Sequence, residues 1–312
     1  MQVAKIVAFA MLEEKNREIF MERKGIILAG GKGSRLHPVS KAVCKQLLPV
    51  YDKPMIYYPL SVLMLASIKS ILIITNPDEQ SLFKKLLGDG KQFGLEIHYQ
   101  VQPKAEGIAQ SMIIAEEFLD GSPSALILGD NIFFGHGLPE LLAKANRSDL
   151  GACVFGYRVG DPERYGILQF DERDQVSQII EKPINPPSQF AVTGLYFLDS
   201  RASEFAKNLE PSDRGEIEIT SLLEIYLKKN ELEVLTMGRG YAWLDTGTFE
   251  SLLEAGAFVK TLQNRQGLMV GCLEEIAFNK GWISSLELSY FAESQKNNEY
   301  GQYLQSLVNQ NK

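Results

Sequence analysis

The stretch Lys24–Leu36, KGIILAGGKGSRL, sets Gly30, Gly31 and Gly33, with Lys32 and Arg35 among them, directly after an apolar run. Glycines there let the backbone approach an oxyanion and turn N–H donors toward it. Gly25 to Tyr51 holds no Asp or Glu, yet it carries Lys32, Arg35, Lys41 and Lys45, a local positive field suited to a polyphosphate. The stretch is not a P-loop, because no Gly-Lys pair is followed by Ser or Thr. It is not a dinucleotide loop either, since Leu36 stands where the third glycine belongs. A dehydrogenase is further disfavoured by the lack of an acidic residue across Lys45 to Tyr51.

Three acidic positions could complete the chemistry. Asp130 follows the apolar SALILG, a place for a carboxylate that ligates Mg²⁺ beside substrate phosphates. Asp245, in YAWLDTGT, is a second such candidate, and two carboxylates on different strand ends would suit nucleotidyl transfer. QIIEKP sets Glu181 beside Lys182; at a strand end the two are expected on opposite faces. Glu181 would accept from sugar hydroxyls and Lys182 would hold a phosphate.

The elements that must position these groups alternate. Strands are predicted at 25–30, 70–75, 95–102 and 124–130, with helices at 54–66, 80–87 and 109–118 between them. This order argues for right-handed βαβ units in a largely parallel sheet covered on both faces. After about residue 150 the rhythm changes to ACVFGYRV, GILQFD, VSQIIEK and AVTGLYFLD, strands on short turns that predict antiparallel or mixed additions. Helices are expected over 199–209 and 218–228, a strand over 232–237, and helices and loops from Phe249 onward. The expected organisation is an extension at 1–23, a core at 24–248, and a helical, oligomer-forming region at 249–312. Residues before Met21 read as a dispensable extension or, preferably, as upstream sequence from an early start codon; the apolar patch IVAFAML lacks the core and cleavage site of a secretory signal.

Composition is ordinary for a soluble globular protein. Hydrophobic residues are 45% and charged residues 23% of the 312, and the net charge of −7 disfavours nucleic-acid or anionic-membrane binding. No apolar run approaches the roughly 20 residues that span a bilayer. Cys44, Cys153 and Cys272, and His37, His98 and His136, are too scattered for a disulfide framework or a zinc site, so a reduced cytosolic protein is expected.

The run GIILAGGKGSRLHPVSKAVCKQLLPVYDKPMIYYPL closely resembles the opening of the sugar nucleotidyltransferases, and within them the thymidylyl branch. The resemblance continues through VQPKAEGIAQ, LGDNIFFGHGLP, DPERYGILQFD, EKP, AVTGLYF, RGEIEIT, GRGYAWLDTGT, RQGLMVGCLEEIAF and YGQYL, covering about Met21 to Leu304. It implies a Rossmann-like α/β nucleotide-diphospho-sugar transferase fold: a central, mixed, mostly parallel sheet flanked by helices, with a C-terminal helical region. It implies transfer of a thymidylyl group from dTTP to glucose 1-phosphate, with Mg²⁺ held by Asp130 and Asp245. The backbone from Leu28 through Gly30 and Gly31 to Gly33 would cradle the nucleotide. Arg35 and Lys45 would neutralise the triphosphate, with Gln46 nearby, and Gln102 and Gly107 would read the thymine. Lys182 would grip the sugar phosphate, and Tyr165, Gly166, Glu181 and Val192 would line the hexose pocket, with Trp243 shaping the site near Asp245. A cytoplasmic homotetramer is implied, with a second nucleotide site and feedback control, placed near the FGHGLP loop and the region after Phe249. dTDP-rhamnose is the implied outlet. A uridylyltransferase, and a non-catalytic nucleotide-sugar sensor, are the alternatives.

Overall fold

Alternate side chains of the central strands are buried on opposite faces, and this dictates a sheet covered twice. In the computed structural model, which describes residues 22–31 and 33–310, Ile27, Ala29, Ile71 and Ile73 join one apolar cluster. Their neighbours Ile26, Leu28, Leu72 and Ile74 join another. Each such fully buried Ile or Leu contributes about 1.5–3 kcal/mol. The expectations for Lys32 and for the 1–23 extension lie outside the described residues, apart from Glu22 and Arg23. Arg23 is tied into the core: its guanidinium donates to the Ser124 and Leu198 carbonyls at 2.7 and 2.9 Å.

The strands are β1 (Lys24–Ala29), β2 (Pro49–Val50), β3 (Lys53–Pro54), β4 (Ser70–Thr75), β5 (Glu96–Val101), β6 (Ser124–Leu128) and β7 (Asn131–Gly135). Then come β8 (Ala152–Arg158), β9 (Gly166–Phe170), β10 (Val176–Glu181), β11 (Phe190–Leu198), β12 (Leu232–Met237) and β13 (Tyr241–Asp245). The main sheet runs β10-β9-β11-β6-β1-β4-β5, with β8 on β11 and β12 on β8. β6-β1-β4-β5 is parallel, and β11 turns antiparallel against β6, β8 and β9. The mixed sheet expected from the change of rhythm is present.

Helices α1 (Tyr57–Leu65), α2 (Gln80–Leu87), α3 (Gln110–Ile114), α4 (Glu116–Leu119), α5 (Leu138–Asn146), α6 (Ala202–Lys207) and α7 (Ile219–Lys228) flank the sheet. α2 stops at Gly88, whose φ of 58° favours glycine. The single helix expected over 109–118 is two, broken at Ala115. The C-terminal region forms α8 (Phe249–Gln266), α9 (Leu273–Asn279), α10 (Ser285–Ser294) and α11 (Glu299–Gln310). Capping boxes at Thr248 and Ser284 start α8 and α10.

The sequence pattern missed β7 and β13, which pair antiparallel outside the main sheet. β7 begins one residue after Asp130 and β13 ends at Asp245, so this ribbon matters for the site. Among the described residues no helix is long and apolar enough to cross a membrane.

Candidate active site

Because β1, β4, β5 and β6 are parallel, Gly30, Asn76, Gln102 and the Gly129–Asp130 turn all emerge at one sheet edge. Open α/β sheets bind ligands at that carboxyl edge. The glycine loop is pinned there by groups the sequence did not flag. Asn76 Oδ1 accepts from the Gly31 N–H at 3.2 Å, and Ser40 Oγ donates to the Gly33 carbonyl at 2.6 Å. Gly31 and Gly33 take φ of 124° and 54°, backbone that side chains disfavour.

A cavity of about 330 Å³ opens beside this loop. Arg35, Asp130, Tyr165, Gly166, Glu181, Lys182, Val192 and Asp245 all line it. Trp243 lines it too, and the remaining expected residues lie outside its lining. Lys45 forms an ion pair with Asp130. Gln46 is buried under Gly129 and accepts from the Cys44 thiol at 2.8 Å. Gln102 packs so tightly on Gly30 that a Cβ there would collide with its Oε1. Gly107, at φ 108°, lies against the Ile217 backbone. Leu28 is the last residue but one of β1, paired with Ile74 of β4.

The carboxylates are brought together by the β7–β13 ribbon. Asp245 lies opposite Asn131. The Thr246 N–H and hydroxyl donate to the Asp130 carbonyl at 3.2 and 2.8 Å. Asn131 donates to Asp130 Oδ1 at 2.9 Å and accepts from Trp243 Nε1 at 2.6 Å. Trp243 in turn lies 5.0 Å, ring to ring, from Tyr165. Burial pushes the Asp130 carboxyl up, but Lys45 and Asn131 outweigh it and hold the group ionised. Burial, and then the charge of Asp130, raise Asp245. Two carboxylates that repel across a cleft, offering hard oxygen donors, fit a small divalent cation. Among the described residues no larger His, Cys, Asp and Glu cluster is present.

Arg164 is a cation the sequence reading missed. It bridges Asp161 at 2.6 Å and Asp245 at 3.3 Å, in a turn within DPERYG. Arg35 reaches the same region, its Nη2 within 3.2 Å of where a Cβ on Gly247 would stand. Burial, then the charge of Asp245, push the Tyr165 phenol up to about 12, so it stays a neutral donor.

Glu181 and Lys182 do not point to opposite faces. Lys182 takes φ 42°, which ends strand alternation just before Pro183, and its ammonium lies 3.3 Å from Glu181 Oε1. Glu181 is also held by Arg214 at 3.1 Å and by the Thr220 hydroxyl at 3.1 Å. Both residues therefore face the cavity. Burial pushes the Cys44 and Cys153 thiols up to about 12, so neither is poised as a nucleophile.

Residues 24–261 match the nucleotidyl transferase family. A Xanthomonas campestris pv. campestris relative, glucose-1-phosphate thymidylyltransferase, is 58% identical over 287 residues, covering 92% of this chain and 97% of its own. The Neisseria meningitidis protein of the same name is 55% identical over 285 residues, covering 91% of this chain and 99% of its own. A crystal structure from Bacillus anthracis, described as a glucose-1-phosphate thymidylyltransferase in complex with sucrose, superposes with a TM-score of 0.70 at 42% identity. It covers 76% of this chain and 94% of that one. A UDP-glucose pyrophosphorylase complexed with UDP-glucose matches the fold with a TM-score of 0.68 at 24% identity, covering 77% of this chain and 100% of that one. The parallel sheet edge, the glycine loop and these relatives agree: the chain belongs to the nucleotidyl transferase family, among the glucose-1-phosphate thymidylyltransferases.

Proposed function

We propose that the chain transfers a thymidylyl group from dTTP to α-D-glucose 1-phosphate, giving dTDP-glucose and pyrophosphate. The observation that carries this reading is one cleft lined by Arg35, Lys182, Asp130, Asp245 and a wall of Tyr165, Gly166, Glu181 and Val192. The relatives' shared name supports it.

The reaction needs no covalent intermediate. A phosphate oxygen of glucose 1-phosphate forms a bond to the α-phosphorus. The bond from that phosphorus to the bridging β-oxygen breaks, and pyrophosphate leaves with the electron pair. Two polyanions must be held together, so positioning and charge neutralisation dominate. The loop from Leu28 to Gly33 cradles the triphosphate through its N–H groups. Arg35 and Lys45 neutralise it, Arg35 on the departing pyrophosphate, and Gln46, packed under Gly129, lies nearby. Lys182 grips the sugar phosphate. Glu181, oriented by Arg214 and Thr220, accepts from sugar hydroxyls. Asp130 and Asp245 would hold Mg²⁺, which supplies charge neutralisation at the triphosphate. Gln102 and Gly107 meet the base.

The domain scheme expected from sequence is retained as part of this reading, with helices α8 to α11 as the oligomer-forming region. Exposed Leu253, Leu286 and Tyr290 on α8 and α10 support a homotetramer. A second nucleotide site with feedback control is supported by a cavity of about 260 Å³. It lies between Gly135, Leu138 and Pro139 of the FGHGLP loop and Met269, Glu275 and Ile276 near α9. Three buried free thiols favour a reducing, cytoplasmic setting, and dTDP-rhamnose remains the outlet inferred. Pyrophosphate release from dTTP and Mg²⁺, scanned across sugar 1-phosphates, tests the reading. Glucose 1-phosphate should give the highest kcat/KM, and preference for another sugar or for UTP alone would contradict it.

A further inference from the structure

Gln102 is not free to present either end of its carboxamide. It follows β5, is only 3% exposed, and donates its backbone N–H to the Thr75 carbonyl at 2.8 Å. Its side chain reaches across to Gly30 at the end of β1. There Gln102 Nε2 donates to Gln110 Oε1 at 2.6 Å, and Gln110 Nε2 donates to Glu106 Oε2 at 2.9 Å. The backbone N–H of Glu106 also donates to Gln110 Oε1, at 3.2 Å.

The polarity of this relay follows from chemistry. A carboxylate only accepts and a backbone N–H only donates. Gln110 must therefore give its NH₂ to the Glu106 carboxylate and its oxygen to the Glu106 N–H. That oxygen then demands the NH₂ of Gln102. Gln102 is left with Oε1 directed at Gly30 and, among the described residues, without a donor. The frame is stiff: the Ile217 N–H donates to the Glu106 carbonyl at 2.7 Å, and the Ala109 N–H donates to the Ile217 carbonyl at 3.1 Å.

We propose that Gln110, anchored by Glu106, is a positioning residue that fixes Gln102 as a hydrogen-bond acceptor and so selects pyrimidine nucleotides whose N3 carries a hydrogen. Thymine and uracil present N3–H to that oxygen. Cytosine presents a lone pair there, which leaves two acceptors facing each other and a buried group unpaired. The relay thus separates dTTP from dCTP and leaves dTTP and UTP alike at this edge. The inference rests on the reading that the base sits at Gln102.

Isothermal titration of dTTP, UTP and dCTP tests it without requiring turnover, so failure of the proposed reaction and failure of the relay are told apart. The wild-type protein should bind dTTP and UTP in preference to dCTP. Gln110→Leu, which frees the Gln102 amide to rotate, should shrink the dTTP/dCTP affinity ratio on the order of 10²-fold. Gln110→Lys offers only donors and should turn the amide over, moving the ratio further toward dCTP. A wild-type protein indifferent to the base, or Leu and Lys variants that keep the wild-type ratio while folded by circular dichroism, would overturn the proposal.

Discussion

Asp130 and Asp245 lie more than 100 residues apart in sequence, yet Thr246 clamps them together by donating its N–H and hydroxyl to the Asp130 carbonyl at 3.2 and 2.8 Å. The pair is a built feature of the β7–β13 ribbon. Asp130→Asn should lower Mg²⁺-dependent turnover about 10²–10³-fold, or about 3–4 kcal/mol of barrier. Far-UV circular dichroism should be unchanged, because the ribbon's backbone bonds do not need the carboxylate. Turnover near wild type would refute the assignment of Asp130.

Gly30→Ala tests the contact between the glycine loop and the base edge. The new methyl would meet Gln102 Oε1. Overpacking of this kind costs about 1–3 kcal/mol. The expected result is a KM for dTTP raised about tenfold or more, with a smaller change for glucose 1-phosphate. Steady-state kinetics with each substrate varied would decide it; equal changes for both would argue against a local contact.

Lys182→Gln tests the other half of the cleft. A hydrogen bond to a charged group is worth about 1.5–3 kcal/mol, and 1.4 kcal/mol is about tenfold. The KM for glucose 1-phosphate should rise about 10- to 100-fold while that for dTTP moves little. The reverse pattern would place Lys182 on the triphosphate.

Glu274 carries a stability prediction far from the chemistry. It is buried on α9 and accepts from the Tyr300 hydroxyl of α11. Burial raises its carboxyl above the usual range. Between the unfolded and the raised folded value the folded state holds the extra proton, so this group's contribution falls as pH rises through that window. Glu274→Gln removes the titration and keeps a partner for Tyr300. The melting temperature of Glu274→Gln minus that of wild type should therefore grow as pH rises from about 4.3 and then level. A flat or falling difference would contradict the sign.

Much of the fold was legible because the parallel half of the sheet is built from apolar runs such as SILIIT, and both SILIIT and the later LEVLTM form strands over the residues expected. β7 and β13 were not, because each spans five residues and its partner lies far along the chain. Arg35, Asp130, Glu181, Lys182 and Asp245 announced themselves as charges in the glycine stretch or near strand ends, and all five line one cavity that the missed Arg164 shares. Asn76, Asn131 and Gln110 did not, since a neutral amide leaves no charge pattern and its role lies in its partners. Opposite faces for Glu181 and Lys182 failed for a local reason: the alternation rule ends where Lys182 leaves the extended region.

The most direct test of the central claim is identification of the product by anion-exchange chromatography after incubation with dTTP, glucose 1-phosphate and Mg²⁺. dTDP-glucose and pyrophosphate should form in equal amounts, with no loss of dTTP when glucose 1-phosphate is left out. Hydrolysis of dTTP without the sugar phosphate, or no dTDP-glucose at all, would contradict it.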